Sequence, residues 1–167
     1  NGNSSVNLES VAQVSGGFFS SGPAVSIHHA IDTSDLGFCS NMTVSTNQGQ
    51  AGQFTYFRTN RRSNQNRFAW SGTQLNPSVA TVSGNEYNYY NHDGSNLRVD
   101  INDSEVASTS NTTAFNTAGD VFNLGGDGDR HFWDGYTYEL IIFDSSQSTA
   151  DSDAIRDDMN SEYNLYT

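Results

Sequence analysis

The chain contains no lysine, one cysteine and two prolines among its 167 residues. Its only bases other than histidine are seven arginines, set against 19 acids, for a net charge of −12. Nucleic acid is excluded as a partner by this balance, because phosphate binding needs a positive footprint. An anionic membrane surface is an equally poor partner on the same ground. The single cysteine, Cys39, rules out an internal disulfide. It lies in an apolar stretch and reads as a small core residue. No segment is long and apolar enough to insert in a membrane as a helix. Hydrophobic residues make up only 34%, yet aromatics reach 12%, and these raise the area each buried residue contributes. Together with alternating segments they argue against disorder. An acidic surface suits a protein in salty medium or a site for divalent cations, and plain solubility is the simpler account. The chain opens on Asn1 rather than Met, as expected of a processed protein or an excised domain.

Serine, threonine, asparagine and glycine separate many short extended segments, and a chain of this length fits one domain spanning residues 1–167. Residues 11–14, 36–39, 42–44, 54–59, 67–70 and 78–82 read as strands, and 24–31 as a strand or a short helix. Phe18 and Phe19 read as a short strand or loop, and 60–66 as a turn holding Arg61 and Arg62. Asp93-Gly94 is a hairpin turn signal. After it, residues 97–101 alternate cleanly, with Leu97, Val99 and Ile101 inward and a return strand over 105–107. Residues 120–124 form a strand before a Gly/Asp loop. One helix is expected near 149–163, capped by Ser148, with Asp151 and Asp153 at its positive end. Ile155, Met159 and Tyr163 recur four apart and would pack one face of it against a sheet edge.

The densest apolar run is residues 131–144, HFWDGYTYELIIFD. Alternation puts Tyr136, Tyr138, Leu140 and Ile142 on one face and Thr137, Glu139, Ile141 and Phe143 on the other. Apolar groups on both faces predict an interior strand over 136–143. Glu139 in its middle needs a partner or an opening to water. This aromatic, Gly turn, Glu-bearing strand and following helix resemble the closing strand and helix of concanavalin A-like (laminin G-like) jelly-roll domains. The form with Phe143-Asp144-Ser145-Ser146-Gln147-Ser148 is similar to modules in phage structural proteins and secreted bacterial proteins. The match covers roughly residues 95–166. It implies an all-β fold, an antiparallel two-sheet jelly-roll sandwich with one short C-terminal helix.

Candidate chemistry is sparse. Laminarinase-type relatives of the fold carry closely alternating carboxylates on one strand, as retaining glycosidase chemistry requires. Here Glu139 has Thr137 and Ile141 at the same-face positions, so no such pair forms on this strand, and a second carboxyl would have to come from another, for example Glu105 or Asp100. The four histidines match no zinc spacing, and no nucleophile elbow occurs. Calcium is the more plausible ion. Asp120, Asn123, Asp127, Asp129 and Asp134 gather oxygen ligands in one stretch, although a solvated Asp/Gly turn is the simpler account. Many laminin G-like domains bind calcium at loop edges, which the resemblance adds to that reading. Sugar binding would use aromatic and planar polar side chains, and the candidates are Trp70, Tyr87, Tyr89, Tyr90, His92, His131 and Trp133. For each aromatic taken alone, core or half-buried packing is the better reading. Tyr89 and Tyr90 cannot both face one core, so one is expected to meet water or a neighbour.

These readings point to a non-catalytic recognition module on an extracellular or virion surface, binding glycan or a host cell surface. The alternative is a virion structural protein, a capsid-decorating or tail-fibre domain touching neighbouring virion proteins. An enzyme acting on polysaccharide has no support in the spacing of the acids.

Overall fold

The computed structural model describes residues 6–7, 12–15, 24–32, 39–45, 55–62, 65–70, 73–75, 84–112, 121–124 and 136–167. In chain order the strands are β1 (Val6–Asn7), β2 (Ala12–Ser15), β3 (Ala24–Asp32), β4 (Cys39–Ser45), β5 (Thr55–Arg62) and β6 (Gln65–Trp70). They continue with β7 (Thr73–Leu75), β8 (Asn85–Asp93), β9 (Asn96–Ile101), β10 (Ser104–Ser110), β11 (Val121–Leu124) and β12 (Tyr136–Phe143). The helix α1 (Thr149–Tyr163) follows. Every described pairing is antiparallel, in two six-stranded sheets ordered β1-β12-β3-β8-β9-β10 and β2-β11-β4-β5-β6-β7. The all-β jelly-roll sandwich with one C-terminal helix is the fold.

The first sheet is covered on both faces. Toward the second sheet, Val25, Ile27, Tyr90, Leu97 and Val99 meet Phe68 and Leu75, with Leu140 and Ile142 of β12 packed against them. Phe68 and Tyr90 lie with ring centroids 5.5 Å apart. On the outer face, Ala30, Tyr87 and Tyr89 meet Met159 and Leu165. The helix crosses β3 and β8 in the middle of the sheet, not its edge. Two covers explain why residues 25–31 are all buried, which no single-sided strand would allow. They also settle the choice between strand and helix for that segment in favour of strand.

β12 is interior, paired to β1 on one side and β3 on the other, within the limits the alternation predicted. Its two faces are not as simple alternation gives them. Thr137 pairs with Ile31 and Glu139 with Ala30, leaving Tyr138 as the extra residue of a bulge. The bulge moves Tyr138 off the inner face that Leu140 and Ile142 share. It joins Ile141 on the helix side, where its ring stacks on Tyr163 at 5.4 Å. Glu139 finds its partner there too. Burial and then the Glu139 carboxylate, which accepts the Tyr163 hydroxyl, push the Tyr163 phenol above its ordinary range.

The helix is punctuated as its sequence dictates. The Ser148 hydroxyl accepts the Asp151 amide at 3.2 Å, and Asn164 closes the other end at φ 50°. The Asn160 side chain then accepts the amides of Leu165 and Tyr166, both at 3.0 Å, returning Leu165 to the core. Between β8 and β9, Gly94 sits at φ 90°, a value that needs glycine. The residues read as a turn at 60–66 instead carry the pairing through Arg62 opposite Gln65, because β5 and β6 run on as a ladder. Phe18, Phe19, residues 36–38 and residues 78–82 lie outside the described residues.

Candidate functional site

Register builds the site. On β8 the residues facing away from the second sheet are Tyr87, Tyr89 and Asn91, since Tyr90 between them packs inward. Asn91 pairs with Arg98 of β9, which pairs with Ser108 of β10. One step along, Tyr89 pairs with Asp100, which pairs with Glu105. A bulge between Glu105 and Ala107 keeps Glu105 on this outer face while Val106 and Ala107 pack toward the inner core. Two cross-strand rows, Asn91–Arg98–Ser108 and Tyr89–Asp100–Glu105, thus floor an open groove of about 320 Å³ with a smaller cleft of about 50 Å³ at its side. Gln147 and Thr149, where the chain enters α1, form its wall, and Ser152 and Asp153 line the smaller cleft.

Arg98 is the centre of the floor. Its Nε and Nη2 donate to the two carboxylate oxygens of Asp100, each at 2.6 Å, and Glu105 lies 3.3 Å from Nε. The bond to Asp100 first, and the nearby acids after it, raise the guanidinium pKa further. Glu105 also accepts the Ser108 hydroxyl at 2.7 Å. Asp93 at the groove's end takes the amides of Ser95 and Asn96 at 2.8 and 2.7 Å. Burial alone would raise its carboxyl, but these donors hold it below the usual range.

Underneath runs a polar chain linking floor to helix. The Gln147 backbone N–H donates to the Ser26 hydroxyl at 2.9 Å, and that hydroxyl donates to the Asn91 side-chain oxygen at 3.0 Å. Ser152 donates to the Tyr89 hydroxyl at 3.1 Å. These bonds fix Asn91, Tyr89 and Gln147 before any ligand arrives, as a preorganised site requires.

The aromatic sugar-binding candidates are largely elsewhere. Tyr90 is fully buried between the sheets and Tyr87, at 2% exposure, lies beneath α1, so neither ring offers a face to a ligand. Both are corrected to core roles, and the reason is the double cover of β8. His92 is buried as well, and that burial lowers its imidazole pKa from the ordinary value. Tyr89, at 5% exposure, lines the groove's smaller cleft with its neighbour Ser152 beside it. Of Trp70 only the backbone place in β6, opposite Phe57 and Thr73, is described. His131 and Trp133 lie outside the described residues.

The same holds for Asp120, Asp127, Asp129 and Asp134 of the calcium set. Asn123 has a backbone place only, between Gln13 and Thr43. Among the described residues no three of His, Cys, Asp and Glu gather as a metal site. Buried histidines instead sit within the fold. His28 bonds the Tyr87 hydroxyl at 2.6 Å and burial lowers it to about 4, while His29 bonds Thr137 at 3.1 Å and burial lowers it to about 3.

Sequence reasoning did not single out Arg98, Asn91 or Gln147. Their signal was the polar half of an alternating strand and a serine-rich connection, which on their own mark only solvent exposure.

No family model matches the sequence, and no curated protein does. Solved structures do share its fold. The chain is similar to the CBM40 domain of a Ruminococcus gnavus sialidase bound to α2,3-sialyllactose, at 13% identity and a TM-score of 0.69, over 91% of this chain and 96% of that one. It is similar to the heptameric SAP-like pentraxin of Limulus polyphemus, at 13% identity and a TM-score of 0.61, over 90% and 83%. It is also similar to domain 4 of an extracellular arabinanase from Geobacillus stearothermophilus in complex with arabinotriose, at 16% identity and a TM-score of 0.63, over 93% and 74%. At these identities the likeness is one of fold, and the fold is that of all-β jelly-roll domains.

Proposed function

We propose that the domain is a non-catalytic recognition module that binds glycan in the groove over β8, β9 and β10, on an extracellular surface, of which a virion is one setting. The observation that carries the reading is the row Asn91–Arg98–Ser108 beside Gln147 and Thr149. Amide, guanidinium and hydroxyl groups held at fixed spacing suit the paired hydroxyls of a sugar ring. The similar domains that hold sialyllactose and arabinotriose support the same ligand class.

Hydrolysis needs two carboxyls free to flank the scissile bond. Asp100 gives both oxygens to Arg98, and Glu105 is divided between Arg98 and Ser108. Glu139 lies with Tyr163 on the helix-covered side, away from the groove. On this reading Asp100 and Glu105 serve as acceptors in the groove rather than as a catalytic pair.

A glycan array probed with the wild type, Gln147→Ala and Ser108→Trp tests the reading. Gln147→Ala should weaken binding about tenfold, the worth of one good hydrogen bond in a formed site, and Ser108→Trp should abolish it by filling the groove. Binding that survives Ser108→Trp unchanged would move the ligand elsewhere. Failure to bind any glycan would leave a protein-contact role in a virion. Calcium at Asp120, Asn123, Asp127, Asp129 and Asp134 is a further part of the proposal. Equal affinity with calcium and with chelator would remove the ion.

A further inference from the structure

On the reading of the groove as a glycan site, we infer that it takes an uncharged, hydroxyl-rich saccharide and turns away carboxylated, sialylated or sulfated ones. Four carboxylates line the groove and its side cleft, Asp93, Asp100, Glu105 and Asp153, against one lining guanidinium, Arg98. Arg156 pairs with Asp153 at 2.8 Å from outside the lining but is shared with Asp157, so the local balance stays negative. The whole chain carries −12, so the surrounding field has the same sign.

Arg98 does not offset this for an incoming anion. Its Nε and Nη2 are held by Asp100 at 2.6 Å, with Glu105 at 3.3 Å from Nε. An anionic sugar has two approaches. It can leave the ion pair intact and sit among acids whose balance is negative. Or it can take the guanidinium from Asp100, leaving a carboxylate whose side chain is 13% exposed without its bidentate partner. Both are unfavourable, by amounts that a rim-exposed groove partly screens.

A neutral sugar meets neither obstacle. Each carboxylate oxygen has two lone pairs, and the protein uses only part of that capacity. Asp93 accepts two backbone amides on Oδ1, and Glu105 accepts Ser108 on Oε1. The remaining acceptor positions suit sugar hydroxyl donors, in charge-assisted bonds stronger than neutral ones. Gln147 and Asn91 supply the amides. The groove therefore differs in ligand class from the similar domain that holds sialyllactose, although the two share a fold.

The test is a panel of matched oligosaccharides, lactose beside sialyllactose and neutral glycans beside their sulfated or uronate-bearing forms, at low and at physiological salt. The wild type should bind the neutral member of a pair about tenfold or more tightly than the anionic one, with the gap narrowing as salt rises. Asp100→Asn combined with Glu105→Gln should release Arg98 and raise affinity for the sialylated member about tenfold. Circular dichroism melting reports whether that variant folds. If it does not, Asp153→Asn and Glu105→Gln, each altering a half-exposed acid, should each narrow the gap alone. Wild-type preference for the anionic member would overturn the inference and leave the glycan reading standing. Binding to neither member of every pair would overturn both.

Discussion

The outer face of the first sheet has a covered half and an open half, and one strand runs through both. Along β8 the outward residues are Tyr87, Tyr89 and Asn91. The first two lie under α1 with Met159 and Leu165. The third opens to the groove with Arg98 and Ser108. The backbone period does not change at the boundary; the side-chain type does. Aromatic residues on this face therefore mark the footprint of the helix, and polar residues mark where it stops. Tyr89 stands at the border, its ring in the covered cluster and its hydroxyl bonded to Ser152 at the side cleft. The covered half holds the fold, and the open half presents its polar side chains to the groove.

A charge placed in the covered half breaks the comparison most sharply. Met159→Asp puts an unpaired carboxylate at a 1% exposed position among Ala30, Tyr87 and Tyr89. It should destabilise by about 4–5 kcal/mol. For a chain of this size that lowers the melting temperature by about 10 °C or more. A neutral result would show that the helix does not depend on this contact.

The buried histidines give the next largest effect. His28 is lowered to about 4 and His29 to about 3, both by burial, from an ordinary 6.5. Their folded forms are neutral, while the unfolded chain takes up protons below 6.5. The stability they contribute is thus complete above 6.5 and is lost as pH falls toward 4 and then 3. The slope is about 1.4 kcal/mol per pH unit for each histidine. Denaturant melts from pH 7 to 5 should show it, and His28→Gln should reduce its slope by about half. No histidine lines the groove among the described residues, so glycan affinity should stay level over that window while the fold remains populated. A parallel fall in affinity would tie the groove to the buried network.

What the sequence made legible follows the same division. The limits of β12 and α1, the Ser148 cap and the inward Leu97, Val99 and Ile101 are local patterns, and the structure has them. The two-sided burial of β3 and β8 needed knowledge of both covers, which no local pattern contains. Tyr87, Tyr90 and His92, named as sugar-binding candidates with packing as the better reading of the two tyrosines, lie in the core. The bulge at Tyr138 has no compositional mark, so the face of that ring was misassigned. The groove was the least legible part. Its floor joins residues 91, 98 and 108 by strand register, and its wall comes from residues 147–153. None of these segments carries a motif alone. Asp120, Asp127, Asp129 and Asp134 of the proposed calcium set, with His131 and Trp133, fall outside the described residues.

A smaller effect belongs to the junction between the halves. Ser148→Ala removes the acceptor for the Asp151 amide at the start of α1. It should lower stability by about 1 kcal/mol, or about 2–4 °C in melting temperature. Glycan affinity should fall modestly with it, because Gln147 and Thr149 on either side of Ser148 wall the groove. An unchanged melting temperature would show that the cap is not limiting.

The smallest stability effect is expected in the open half itself. Ser108→Ala deletes one hydroxyl that donates to Glu105 at 2.7 Å, between two exposed side chains. Water replaces that bond on the surface, so the change should stay within about 0.5 kcal/mol. The melting temperature should then move by about 2 °C at most. Affinity is another matter, since the same hydroxyl sits in the row Asn91–Arg98–Ser108 that a sugar would touch. Its loss removes one ligand bond and frees Glu105 to turn, and binding should weaken about fivefold. The pairing of a flat melting curve with a weakened glycan signal is what distinguishes a groove residue from a core residue. A melting shift as large as that of Ser148→Ala, with affinity unchanged, would place Ser108 among the residues that hold the fold and end the division between the two halves.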